Sequence, residues 1–185
     1  TLGEGGGLFA ADGALVEIDY TGIQYNGSHQ SGAQILVEGG GNVEISDSLI
    51  ADTSDEWASI DGVRARGGAS LEMKWSTVGG LGASVTYEAG STGTFTANTI
   101  WPTGAGGLTT SPVILGACNV GMGVGALFGP ANLAVDPVFV PGVRGEFRIQ
   151  NASPAAGNCP SLGTADLDFA NRASPLAAAG AFEAN

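Results

Sequence analysis

Acidic side chains crowd one stretch of the chain. Asp52, Asp55, Glu56 and Asp61 fall within Ala51–Asp61 (ADTSDEWASID), around Trp57. Oxygen-rich, flexible segments of this kind suit Ca2+, and an exposed tryptophan suits stacking on a sugar or contact with a partner. The plainer reading, which we favour, is an acidic solvated loop with Trp57 folded onto the body of the protein. Other nucleophile and metal chemistry finds little material. The one histidine, His29, stands in the loop stretch Tyr25–Gln30, and no Gly-x-Ser-x-Gly elbow accompanies it. One histidine and two distant cysteines are a poor zinc set. Cys118 and Cys159 are an even pair, so one disulfide is expected if the chain is exported.

The elements that must carry these residues are legible because the chain repeats itself. Leu8–Ile23, Ile35–Ile50, Val63–Val78 and Val85–Ile100 are each 16 residues long. Each has an apolar strand, a glycine-rich turn, a second strand, a polar step and a final branched residue. Leu8, Ile35, Val63 and Val85 share one register, with Ala10, Val37, Ala65 and Tyr87 two residues on and facing the same way. Ile18, Ile45, Met73 and Phe95 form a second column, and Ile23, Ile50, Val78 and Ile100 a third. A unit this short cannot bury its own apolar face, so it must stack on its neighbours. Three short strands per coil, stacked in parallel and in register, predict an all-β, right-handed parallel β-helix of about four to six coils. The leucine-rich repeat lacks its Leu/Asn spacing here, and a propeller blade needs more strands per unit. Length varies only in the connectors Gln24–Gln34, Ala51–Gly62 and Gly79–Ser84, and insertions in a solenoid gather on one face, often the binding face.

The columns also arrange charge. Glu17, Glu44 and Glu72 point outward in one line, about 4.8 Å apart per coil, with Lys74 two residues beyond Glu72 giving partial relief. A solvated stripe is the simple reading, and a bridging cation or basic partner the functional one. Arg64, Arg66 and Lys74 lie on the third coil, and Glu38 and Glu88 occupy the Arg66 column on its neighbours, which predicts cross-coil ion pairs.

Composition sets the outer limits. In 185 residues, 6 Lys+Arg oppose 18 Asp+Glu, a net charge of −12. Such a chain is not expected to bind nucleic acid, which needs clustered cations, nor an anionic membrane surface. No apolar run reaches the ~18 residues of a membrane helix, so direct membrane insertion is not expected. Thr1 is not an initiator methionine, which reads as a processed chain or a fragment. One domain over 1–185 is expected, with coils over 5–117 and a degenerate last coil and C-terminal cap over 118–185. In this reading Pro112–Ala117 supplies a fifth partial strand.

The last part of the chain reads differently. Asp136-Pro137-Val138-Phe139, Gly145-Glu146-Phe147-Arg148-Ile149, Ser153-Pro154-Ala155-Ala156-Gly157, Asp166-Leu167-Asp168 with Asn171-Arg172, and Gly180-Ala181-Phe182-Glu183 follow in that order. This series resembles the C-terminal ending of secreted bacterial β-helix proteins of the pectin-lyase-like group, in particular the choice-of-anchor Q type. The match departs where the third motif lacks its usual Asp. The resemblance implies a secreted or cell-surface protein, and members include polysaccharide lyases, adhesins and surface proteins of unassigned role, so the fold does not settle activity. Lyases of this fold use Ca2+ held by carboxylates and an Arg or Lys base, for which Arg64, Arg66 and Lys74 are the nearest candidates. So acidic a protein would repel a polyanionic substrate.

Together these features lead us to expect an extracellular structural, adhesive or surface-display module rather than an enzyme. No catalytic residue and no cofactor is assigned, and Ca2+ at Asp52, Asp55, Glu56 and Asp61 is the one ion with a candidate set. The alternative is a carbohydrate-binding or carbohydrate-active β-helix, a polysaccharide lyase or glycoside hydrolase. The expected partner is a protein subunit, from the same or a neighbouring chain, docked on the N-terminal coil end, where strand edges stand open.

Overall fold

The computed structural model describes residues 6–24, 26, 34–52, 62–80, 84–102, 106–140, 147–160 and 176–182. It is a parallel β-helix with three sheets. Sheet A stacks β1 (Leu8–Ala10), β4 (Ile35–Val37), β7 (Val63–Ala65), β10 (Ser84–Tyr87) and β13 (Gly107–Thr110). Sheet B stacks β2 (Leu15–Asp19), β5 (Asn42–Ser46), β8 (Ser70–Lys74) and β11 (Thr92–Thr96). Sheet C stacks β3 (Gly22–Gln24), β6 (Leu49–Asp52), β9 (Thr77–Gly80), β12 (Thr99–Pro102) and β14 (Val120–Gly121). Every pairing within these sheets is parallel, and the columns read from sequence are the observed register: Leu8 faces Ile35, Ile18 faces Ile45, and Ile23 faces Ile50.

Alternation drives this stacking. Val43 and Ile45 are buried while Glu44 between them is exposed, and Leu71, Glu72 and Met73 repeat the pattern one coil on. The inward residues form one continuous core. Burying a side chain such as Ile45 or Met73 stabilises by roughly 1.5–3 kcal/mol. The turn between sheets A and B needs a left-handed residue in each coil. Gly13, Gly40, Gly68 and Gly90 supply it with φ between 79° and 84°, where glycine has no Cβ penalty.

The corner between sheets B and C is left-handed too, but not glycine. Tyr20, Asp47, Trp75, Ala97, Cys118 and Ala131 take φ from 46° to 62° there. Each is followed by a small polar residue, the polar step of the repeat, and these link the coils. The Thr21 N–H donates to Ser48 Oγ (3.1 Å), Ser48 N–H to Ser76 Oγ (3.3 Å) and Ser76 N–H to Asn98 Oδ1 (2.9 Å). The ladder continues through Asn98 N–H to Asn119 Oδ1 (2.8 Å) and Asn119 N–H to Asn132 Oδ1 (3.2 Å). Backbone donors that the sharp corner takes out of the sheets are thus satisfied inside the protein, where an orphaned donor would be costly.

Beyond β12 the solenoid departs from expectation. Sheet A gains its fifth strand at Gly107–Thr110, not at Pro112–Ala117; the latter stretch meets sheet B through a bridge from Leu115 to Thr94. A tighter sixth turn follows, with Phe128 bridging Leu115 and Leu133 bridging Val120. The described residues of the C-terminal segment pack beside the coils. They lie along the flank of sheet C. Leu49 and Ala51 pack with Phe147, and Trp75, Ala97 and Cys118 with Ile149, Ala155 and Ala179. The reason is that sheet C's outward column is apolar or small and needs cover. A Cβ on Gly79 would run into the Phe147 ring, and one on Gly180, at φ 99°, would lie 2.7 Å from the hydroxyls of Thr77 and Thr99. Glycine at both positions lets the two layers touch.

The tail motifs build this flank. Phe139 meets Phe147 edge to face at 5.5 Å, and Arg148 lies 5.8 Å over the Phe182 ring. Asp136 Oδ1 accepts from Val138 N–H (2.7 Å), and Ser153 Oγ donates to the Pro137 carbonyl. The expected disulfide is not formed. Cys118 and Cys159 remain buried thiols, and the Cys159 S–H donates to the carbonyl of Cys118 at 3.0 Å. The left-handed corner at Cys118 presents its carbonyl to the flank strand β15 (Cys159–Pro160), which pairs antiparallel with β16 (Leu176–Ala177).

Candidate functional surface

The outward face of sheet B gathers Glu17, Glu44, Glu72 and Lys74 on one surface. Alternation sends every second residue of β2, β5, β8 and β11 to solvent, and the parallel register aligns them. Glu17, Glu44, Glu72 and Thr94 form the central column, which Leu115 and Phe128 extend through isolated bridges. Asp19, Ser46, Lys74 and Thr96 run beside it. The ribbon is therefore acidic at its first coils, hydroxyl-lined in the middle and apolar at its end.

Three open grooves follow this ribbon. One of about 180 Å³ lies among Glu17, Asp19, Glu44, Ser46 and Lys74. A smaller one of about 40 Å³ lies among Glu44, Glu72, Lys74 and Thr94. The third, about 350 Å³, is framed by Thr94, Thr96, Leu115, Ala117, Phe128 and Pro130. Lys74 stands between the first two, where its ammonium offsets the stacked carboxylates. Ser46 Oγ donates to Asp19 Oδ1 (2.6 Å), fixing one acid of the first groove. Beneath the ribbon, the Tyr87 hydroxyl donates to the carbonyls of Leu71 (3.1 Å) and Thr94 (3.2 Å). Burial first, and the nearby charge of Glu72 second, hold that phenol well above its ordinary range.

The structure separates the cationic trio. Arg66 pairs with Glu38, its Nε 2.7 Å from Oε2, as the column predicts. Glu88, expected against Arg66, pairs with Arg64 instead, because Arg64 is the outward residue of β7 while Arg66 begins the following turn. Lys74 belongs to sheet B. Of the acidic loop, the backbone of Asp52 ends β6, while Asp55, Glu56, Trp57 and Asp61 lie outside the described residues, as does His29. Among the described residues no group of three or more His, Cys, Asp or Glu is placed to hold a metal ion. No described helix is long and apolar enough to cross a membrane.

Sequence reasoning missed the apolar end of the ribbon. Phe128, 72% exposed, and Leu115, 56% exposed, sit where the repeat shortens and its register cannot be read by eye. The signal that was available is charge. No charged residue stands between Glu88 and Asp136. Comparison of the chain with known protein families, with curated proteins and with solved structures returned no match.

Proposed function

We propose that this chain is an extracellular structural, adhesive or surface-display module of the pectin-lyase-like kind, working by contact rather than by turnover. The observation that carries this reading is the sheet B ribbon, an ordered face that presents aligned side chains over successive coils with open grooves. Its acids and Lys74 are spaced by the coil rise rather than converged on one point, an arrangement suited to an extended contact. A carbohydrate contact is the second reading, favoured by the third groove, where Phe128 offers an aromatic face beside the hydroxyls of Thr94 and Thr96. Neither reading requires a cofactor.

The test is retention of the labelled protein on cells, on cell-wall polysaccharide and on protein-coated surfaces, compared with a Glu44→Lys/Glu72→Lys variant. Saturable retention that the variant loses supports the contact reading. Release of new reducing ends or unsaturated products from any polysaccharide would overturn it in favour of an enzyme. Thermal melts with Ca2+ address the acidic loop. The melting temperature is expected not to respond, whereas a saturable rise that disappears in Asp52→Asn/Asp55→Asn would place an ion there.

A further inference from the structure

We infer that the sheet B ribbon takes a neutral polysaccharide, a chain of glucose-like sugars without carboxylates, laid across the coils and anchored on Phe128. The inference names the ligand class for the carbohydrate reading given above and rests on it.

The anchor is a shelf on the outward face of sheet B. Thr94 bridges to Leu115, and Leu115 to Phe128, so the three stand in one column over successive turns. Thr96, Ala117 and Pro130 run beside them. Ile114 is buried, and alternation turns its neighbours Val113 and Leu115 to solvent. Val113 is 81% exposed and Phe128 72%. A contiguous apolar surface in so acidic a chain marks a place of contact. From Thr94 to Phe128 is two coil steps, about 10 Å, which leaves room for successive sugar rings. The groove there, about 350 Å³, has the size of a small-ligand site, about 300–1,000 Å³.

The side chains match a sugar better than a purely apolar ligand. A pyranose with equatorial hydroxyls carries C–H bonds on its two faces and hydroxyls around its rim. The Phe128 ring offers a surface for a C–H face, and Leu115 extends it. The Thr94 and Thr96 hydroxyls stand beside that shelf, each able to donate and accept. Neither is spent on another described residue, whereas Ser46, on the acidic coils, gives its hydroxyl to Asp19. The adjoining groove leads from Thr94 to Glu72 and Glu44. Ionised carboxylates are pure acceptors, and a sugar rim supplies the O–H donors they lack.

Charge then selects the class of chain. No charged residue lies between Glu88 and Asp136, so the shelf has no cation for a uronate carboxylate. The ribbon's cation among the described residues, Lys74, stands among Glu17, Asp19, Glu44 and Glu72. A polyuronate laid on this face would set its carboxylates against those of the ribbon, in a protein of net charge −12. A neutral chain meets no such repulsion, and its hydroxyls gain the same carboxylates as partners.

The test is migration of the full chain in native gels with polysaccharide fixed in the matrix. The neutral set is hydroxyethylcellulose, mixed-linkage glucan, glucomannan and dextran, and the charged comparison is polygalacturonate. At least one neutral gel should retard the chain, with little change on adding salt, and polygalacturonate should not. Phe128→Ala, at an exposed position, should weaken retardation by about tenfold, the size of one aromatic contact. Glu44→Lys/Glu72→Lys should lose the neutral chain and gain polygalacturonate, an exchange that misfolding would not produce. No retardation in any neutral gel, or retardation that Phe128→Ala keeps in full, would overturn the inference. Copies that associate through this shelf without sugar, seen in sedimentation velocity and lost in Phe128→Ala, would overturn it in favour of a protein contact. Polygalacturonate held more firmly than every neutral chain overturns this inference and leaves the carbohydrate reading standing. No polysaccharide held, with saturable retention on protein-coated surfaces, removes both.

Discussion

Single side chains decide whether the coils can stack. Ile45 and Met73 face one another in the second inward column and are buried from solvent. A carboxylate there would have no partner, and burying an unpaired charge is prohibitive. Ile45→Asp or Met73→Asp should abolish the native β spectrum in circular dichroism; a variant that keeps it would contradict the register. Tyr87 makes a prediction about pH. Its phenol titrates above the ordinary value of 10.0 in the folded state, through burial and then the Glu72 charge. Below about pH 10 the group is protonated whether the chain is folded or not, and the folded state loses nothing. Above it the unfolded chain releases a proton that the folded chain keeps, so stability should fall by about 1.4 kcal/mol per pH unit. Urea melts between pH 9 and 12 should show this fall (~1.4 kcal/mol per unit), and it should be reduced in Tyr87→Phe. The Arg66–Glu38 pair is partly exposed, and Arg66→Ala should cost only about 0.2–1 kcal/mol.

At the scale of the elements, the sequence is most informative where inside and outside alternate. The three apolar columns were legible because a buried strand position tolerates few residue types, and four units shared one spacing. The corner ladder was half legible. Its polar step recurs in every unit, but only the left-handed corners show why Ser48, Ser76, Asn98 and Asn119 bond the next coil. Asn98→Ala removes the acceptor for Ser76 N–H and the donor to the Met73 carbonyl. It should lower stability by about 1–3 kcal/mol, the cost of buried groups left unpaired, measurable in urea melts. The flank was not legible, because the glycines that admit it look in sequence like the turn glycines they are not. Gly79 and Gly180 act by closeness to another layer, which no local pattern records. Gly180→Val should clash with the Thr77 and Thr99 hydroxyls and loosen the tail, opening it to limited proteolysis while coils one to four stay protected. Equal protection of the tail would contradict this packing. The acidic ribbon of the candidate surface was read from the columns. Its apolar end was not, because the sixth turn is shorter than the 16-residue unit and shifts the period by which a reader would align it.

The whole molecule is, over its described residues, a short stack of similar layers. The middle coils hide their apolar residues and satisfy one another's corner donors. In the contact reading proposed above, such a stack works through what it touches along its face. Retention of the labelled chain on polysaccharide-coated and protein-coated surfaces tests this most directly. The account predicts saturable retention that Glu44→Lys/Glu72→Lys loses. Retention that this variant keeps, or no retention on any surface, would contradict it.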